Sequence, residues 1–393
     1  MIRVYWRMHI GFYHDAAGTR HAGGIAVYTQ RMAVELSETN DVTLYTRRGD
    51  FSPVLTDSDV TIVETPSFDD HPSKVTDPIN PLGTQNRKKF LMTLWAARND
   101  VIDHMNERLD VLCTYQFLDD LLLSNLVDVP TVYTFHKAST VTPMTWLRDR
   151  FSQTERLVAN SPDTARRLTE TFGYDFEDVV PPGIDPEEFR PGIEPAFESD
   201  GPAILFVGRL VESKGIDDLL EAVATLDGRQ ELHFVGRGER ARIRDRAAAL
   251  GIDDDVVCHG EVPHPDLPAY HAGADVFCLP SHEESFGMAN LEAMACGLPV
   301  VTTDLEGITT YLSNGENGLL ARTGDPQDLA DKLTMLVESP SLRSRLGAQA
   351  REDAYAFRWT AQAQRFERVC RTALESIEGI DRPSNGPIRV DTV

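Results

Sequence analysis

Two carboxylates eight residues apart, Glu284 and Glu292, flank the segment SFGMANL. The apolar run Asp275 to Leu279 before them fits a short buried parallel strand, which Pro280 and Ser281 end. Gly287 opens a run of helix formers, MANLEAMAC, and Gly297 with Pro299 closes it. Glu284 therefore falls in the loop before a helix, and Glu292 about one and a half turns inside it. Backbone N–H groups near Gly287, Met288 and Ala289 stand at the expected helix start, where anions bind. Amides set between two carboxylates that can grip hydroxyls suit a nucleotide sugar, with the diphosphate in the middle, the sugar on one side and the ribose on the other. In an acidic chain such a pair also arises by chance, so its companions decide the matter.

The companions are basic. GRLVESKG (208–215) places Arg209 and Lys214 between two glycines, after an apolar run and before a helical pattern. Arg offers a fork of donors and Lys a compact charge, and together they can neutralise a diphosphate. No GxxxxGK[ST] run is present, and GRGERA (236–241) is an incomplete GxGxxG, so nicotinamide binding is poorly supported. Near the N-terminus an expected strand, a loop with Gly23 and Gly24, and a helix form a phosphate-loop arrangement, although two glycines also make an ordinary tight turn. His136 ends the expected strand TVYTFH (131–136), at the edge where open α/β sheets bind ligands; a loop histidine is also commonly structural. The Cys and His spacings form no metal set, and Asp253 to Asp255 read as one of many acidic runs, so no metal is expected.

These residues need a scaffold, and β and α patterns alternate along the chain. The first set has strands at 2–10, 41–47, 59–64, 110–115, 131–136 and 156–161, and helices at 25–38, 85–109, 117–126, 143–151 and 162–172. A long loop is expected over 65–84. Residues 181–202 contain six Pro and read as a linker. The second set has strands at 203–208, 231–236, 255–260, 275–279, 299–303 and 317–321. Its helices are expected at 215–226, 239–250, 265–273, 326–338 and 340–356, with a long last helix at 358–377. Such alternation predicts an α/β protein of two doubly wound, Rossmann-like domains facing a cleft. The expected divisions are an acceptor-side domain at 1–190, a nucleotide-sugar domain at 191–357, a helix at 358–378 and a disordered polar tail at 379–393.

Composition narrows the setting. The 393 residues carry 62 acidic and 38 basic side chains, net −24, and only six of the basic residues are Lys. Abundant acid with scarce Lys matches proteins of a high-salt cytoplasm, where salt screens self-repulsion; an ordinary acidic protein with an Arg preference is the alternative. A broad nucleic-acid surface is not expected. Residues 1–180 hold 18 basic and 25 acidic residues, against 20 and 37 in 181–393, so the first half better suits an anionic surface. Within it, RKKFLMTLWAAR (87–98) mixes cations with Phe90, Leu94 and Trp95 and has no acid. A helix over 85–98 could lie on an anionic membrane or pack its apolar face on the sheet. No apolar run reaches 18 residues, the N-terminus reads as a strand instead of a signal peptide, and the five Cys form no CxxC pair. A cytoplasmic protein is expected, with peripheral contact at the inner membrane face as a further expectation.

The second half resembles the retaining glycosyltransferases of family 4, which have the GT-B fold. The resemblance rests on VGRLVESKG (207–215), FVGRGE (234–239), HGEVPHPDLPAYHAGADVFCLPS (259–281), EESFGMANLEAMACGLPVV (283–301), and NGLL with GDPQDLA (317–320, 324–330). GGIAVYTQRMAVEL (23–36), TFHK (134–137), ANSPDTARRL (159–168) and VVPPGIDPEEF (179–189) extend it more loosely to the first half. It implies hexose transfer from a nucleotide diphosphate sugar, UDP- or GDP-linked, to a hydroxyl acceptor with retained configuration. It also implies that no metal or other cofactor takes part. Arg209 and Lys214 would hold the diphosphate, Glu284 the donor-sugar hydroxyls and Glu292 the ribose. Amides at Phe286, Gly287, Met288 and Ala289 would add phosphate contacts, and backbone at Val262 would meet the base. Gly24 would lie near the phosphates, His136 would touch the donor sugar, and the last helix would cross back onto the first domain. The expected acceptor, a glycan or a lipid-linked glycan or glycolipid at the inner membrane face, follows only from the basic aromatic segment 85–98 and not from the resemblance. The loop before Gly23, with Tyr13, His14, Arg20 and His21, departs from the family pattern. Rival readings are a GT-B sugar-nucleotide epimerase and a catalytically silent binding subunit.

Overall fold

A computed structural model describes residues 6–14, 16–19, 24–65, 100–115, 123–136, 156–173, 176 and 178–378. The basic helix expected at 85–98, the helix at 143–151, Gly23 and the tail at 379–393 lie outside the described residues. The chain divides into two compact units, one within Met1–Pro181 and Gln362–Val393, the other Pro182–Ala361.

The first unit holds seven parallel strands: β1 (His9–Tyr13), β2 (Asp41–Arg47), β3 (Thr61–Thr65), β4 (Val111–Tyr115), β5 (Thr131–Phe135), β6 (Arg156–Ala159) and β7 (Asp178–Val179). Their order is β3-β2-β1-β4-β5-β6-β7. β4 and β5 are buried throughout, as their β-branched and aromatic content suits strands covered on both faces. The second unit holds six: β8 (Ala203–Val207), β9 (Glu231–Val235), β10 (Val256–Gly260), β11 (Val276–Leu279), β12 (Val300–Thr303) and β13 (Leu319–Ala321), in the order β10-β9-β8-β11-β12-β13. Both sheets are doubly wound: β1 and β8 each have neighbours reached by connections running in opposite directions along the sheet.

The structure corrects two expected elements. The first strand is His9–Tyr13, so Gly11, Phe12 and Tyr13 belong to the sheet and not to the following loop. They are buried because they pair with β2 on one side, and Gly11 and Phe12 with β4 on the other. The single helix expected at 85–109 does not run through Asp100, whose φ of 58° is left-handed; the helix described here is Val101–Arg108. Aspartate tolerates that backbone better than most residues.

The last helix, Trp359–Glu378, starts in the second unit, where Trp359 N–H donates to the Ile184 carbonyl at 3.0 Å. From Gln362 onward it belongs to the first unit. There Phe366 stacks on Phe12 with ring centroids 5.9 Å apart, and Cys370 Sγ lies 3.9 Å from Cys113 Sγ on β4.

Candidate functional site

The candidate site in the second unit grows from the carboxyl ends of β8 and β11. These strands are neighbours across the point where the winding reverses, the place where open α/β sheets leave a ligand crevice. The loop after β8 carries Arg209 and Lys214, and the loop after β11 carries Glu284. Gly215 lets these loops touch: its φ is +67°, and a Cβ there would sit 1.9 Å from the Pro280 carbonyl oxygen. The His282 N–H donates to the Ser213 carbonyl at 2.9 Å, and His282 Nε2 lies 2.7 Å from Asp218 Oδ2 in the first turn of the helix Ile216–Ala224. The two loops therefore form one surface.

On that surface Lys214 Nζ forms an ion pair with Glu284 Oε2, and Ser281 Oγ reaches the same oxygen at 3.5 Å. The pair is mostly buried, with 14% and 17% of the side chains exposed, which strengthens the attraction beyond that of a surface pair. Arg209 is exposed and forms no salt bridge among the described residues. The helix Met288–Ala295 begins after Gly287, which has left-handed backbone at φ +79°. Its first N–H groups, at Met288 and Ala289, precede any helical carbonyl partner. Tyr311 fixes this start. Its hydroxyl donates to the Phe286 carbonyl at 2.7 Å and accepts from Asn290 Nδ2 at 3.1 Å, and burial pushes its pKa up so that it stays a donor.

Glu292, on the second turn, is 5% exposed. Its Oε1 lies 2.9 Å from His264 Nε2, and His264 Nδ1 faces Glu188 Oε1 at 3.9 Å. His264 follows Val262 by two residues. Val262 is half-buried and lines a groove of about 640 Å³ with Glu188, His259, Glu261 and Tyr270. Pro263 and Pro265, on either side of His264 in the chain, also line this groove, and His264 itself carries the contact to Glu292.

Gly24 and His136 lie in the first unit. Gly24 is exposed at the start of the helix Gly24–Ser37, and a Cβ there would meet nothing within 4 Å. His136 follows β5 and is 8% exposed. Its ring packs edge-on against Tyr28 at 4.6 Å, and burial together with His14 pulls its pKa down to about 3, so the imidazole is neutral.

Sequence reasoning had singled out Arg209, Lys214, Glu284 and Glu292 but missed the residues that hold them. His264 and Tyr311 carry no local signal, although His264 lies in the HGEVPHPDLPAY stretch. Asp218 stands beside Asp217 in the first turn of its helix, where acids are common, and so carries no local signal either. Among the described residues no group of three His, Cys, Asp or Glu could hold a metal ion, and no helix is long and apolar enough to cross a membrane.

Two linked Rossmann-like units of this kind, with charged loops at the switch point of the second, have the architecture of the GT-B fold. The model for "Glycosyl transferases group 1" matches residues 193–353, and that for "Glycosyltransferase Family 4" matches residues 22–188. A D-inositol 3-phosphate glycosyltransferase of Geodermatophilus obscurus is 32% identical over 387 residues, 88% of this chain and 84% of that protein. Its counterpart in Frankia alni is 37% identical over 241 residues, 56% of this chain, which here spans only 59% of that relative's length. The solved structure of sucrose-phosphate synthase from Thermosynechococcus elongatus has a similar fold, with a TM-score of 0.77, 21% identity, and coverage of 94% of this chain and 100% of that one. The chain belongs to the group 1, family 4 glycosyltransferases.

Proposed function

We propose that the protein moves a hexose from a nucleotide diphosphate sugar, UDP- or GDP-linked, to a hydroxyl acceptor with retention of configuration. The observation that carries this reading is the joined pair of loops at the β8/β11 switch point, with Lys214 on Glu284 beside an amide-rich helix start. Donor binding exchanges the partners of that pair. The diphosphate takes the Lys214 ammonium and the Arg209 guanidinium, and the sugar hydroxyls take the Glu284 carboxylate. Amides from Phe286 to Ala289 bind phosphate oxygens, Glu292 binds the ribose diol, and the groove at Val262 receives the base. The bond from sugar C1 to the phosphate oxygen breaks. The bond from C1 to the acceptor oxygen forms on the same face, and the acceptor proton passes to the departing phosphate. Fixed cations stabilise the charge that grows on the leaving group. For Gly24 and His136 the support is their place within their own unit, at a helix start and at the carboxyl end of β5.

The names of the curated relatives make D-inositol 3-phosphate a candidate acceptor beside lipid-linked glycans. Membrane contact through 85–98 is part of the proposal, and replacing Lys88, Lys89 and Trp95 should weaken flotation with anionic vesicles. So is adaptation to high salt, which the net charge of −24 supports. The test is a thermal-shift screen in molar KCl with UDP, GDP, ADP and their sugars, since a ligand that binds only the folded state raises the melting temperature. One nucleotide should raise it clearly. Well-folded protein that responds to none would overturn the reading.

A further inference from the structure

We propose that His264 is a positioning residue that aims the Glu292 carboxylate at the ribose and so sets the preference for ribonucleotides over deoxynucleotides. This rests on the ribose role given to Glu292 above. A carboxylate with 6% of its side chain exposed needs a donor close by, because burying an ionised group without one is strongly unfavourable. His264 Nε2, 2.9 Å from Oε1, is that donor, since a carboxylate can only accept. A carboxylate oxygen has two lone pairs, so an N–H on Oε1 fixes the plane of the group while the carboxylate keeps capacity for a diol.

The imidazole is itself held. Pro263 and Pro265 flank it at the start of a 3₁₀ turn, His264–Asp266, and fix the backbone on both sides. The Phe189 ring, 1% exposed, packs edge-on against it at 5.3 Å. Glu188, next to Phe189, faces Nδ1 at 3.9 Å, so a carboxylate stands near each ring nitrogen. The segment that supplies both residues is fixed in turn: Asp185 Oδ1 accepts from Glu187 N–H at 2.9 Å, and Phe189 N–H donates to the Asp185 carbonyl at 2.9 Å. The PPGIDPEEF stretch, which reads as linker in the sequence, thus buttresses a ligand-facing carboxylate through one histidine.

The test compares dissociation constants for the tightest-binding of UDP, GDP and ADP with those for its 2′,3′-dideoxy form, by calorimetry. Wild type should prefer the ribo form. His264→Ala should lose about tenfold in affinity for the ribo form, the worth of one hydrogen bond to a charged group, and leave the dideoxy form unchanged. His264→Gln, whose amide nitrogen falls near the place of Nε2, should keep most of the preference. A folded His264→Ala with the wild-type preference overturns the proposal, and so do equal losses for both ligands in the Ala and Gln variants. Glu292→Gln separates this from the underlying reading. If Glu292→Gln abolishes the preference and His264→Ala does not, only the positioning role falls; if Glu292→Gln also leaves it intact, the ribose assignment falls with it.

Discussion

Gly215→Ala should damage stability and turnover together, for a reason that can be worked from the backbone. At φ +67° an L side chain is strained by roughly 1–2 kcal/mol. The new Cβ would also sit 1.9 Å from the Pro280 carbonyl oxygen, a backbone atom that has no rotamer by which to escape. Carbon and carbonyl oxygen meet at about 3.3 Å, so the loops must part by about 1.4 Å. Forcing atoms into a packed site adds roughly 1–3 kcal/mol. A total near ~3 kcal/mol should lower the melting temperature by roughly 6–12 °C in a unit of this size. Gly215 follows Lys214 directly, and Pro280 opens the loop that carries Glu284, so the same movement pulls the cation from its carboxylate. A misplacement of ~1 Å at a reacting centre lowers turnover about 10²-fold. Gly251→Ala is the control. Its φ is +74°, and a Cβ there meets nothing within 4 Å, so it carries the strain without the clash. Scanning calorimetry and steady-state kinetics on both variants decide the matter. Equal melting temperatures and equal kcat/KM for the two would refute the argument, because the contact at Pro280 would then count for nothing.

Other outcomes follow from single residues. Arg209→Ala should keep the wild-type melting temperature, since the side chain is exposed, and lower kcat/KM with the sugar nucleotide by about 10²–10³-fold, the scale for one transition-state donor. Equal kcat/KM would remove Arg209 from the site. Tyr311→Phe removes the donor to the Phe286 carbonyl and should cost about 1–3 kcal/mol in urea unfolding, with weaker nucleotide binding in calorimetry. His271 is fully buried, neither ring nitrogen has a hydrogen-bond partner among the described residues, and burial holds its pKa down to about 4. The unfolded chain therefore binds the extra proton between pH 6.5 and 4, so this contribution is full above 6.5 and is lost as the pH falls through that window. His271→Leu should spare the protein up to about 2 kcal/mol of the stability lost between pH 6.5 and 5, seen as a flatter acid limb in urea titrations at several pH values. An unchanged acid limb would show that His271 is charged, or paired, in the native state.

The sequence by itself determined the two alternating α/β halves and the residue types on the site loops. Strands such as AILFV and VFCL are short apolar runs closed by Gly or Pro, and local pattern is enough to read them. The helix that carries Glu292 was legible from Gly287 and its run of helix formers for the same reason. Boundaries were less legible. β1 runs on through Gly11 to Tyr13 because two neighbouring strands supply hydrogen bonds there, and local pattern does not report neighbours. The left-handed turn at Asp100 was hidden inside a helical pattern. Only the tertiary structure decided the partners: Lys214 with Glu284 seventy residues on, His264 with Glu292, Asp218 with His282, and Cys370 beside Cys113. The Lys214–Glu284 and His282–Asp218 contacts depend on strand order, which brings β8 beside β11 although β9 and β10 lie between them in the chain. Side-chain chemistry is written residue by residue, whereas the hydrogen bonds and charges that aim it arise from separations that only the folded sheet makes short.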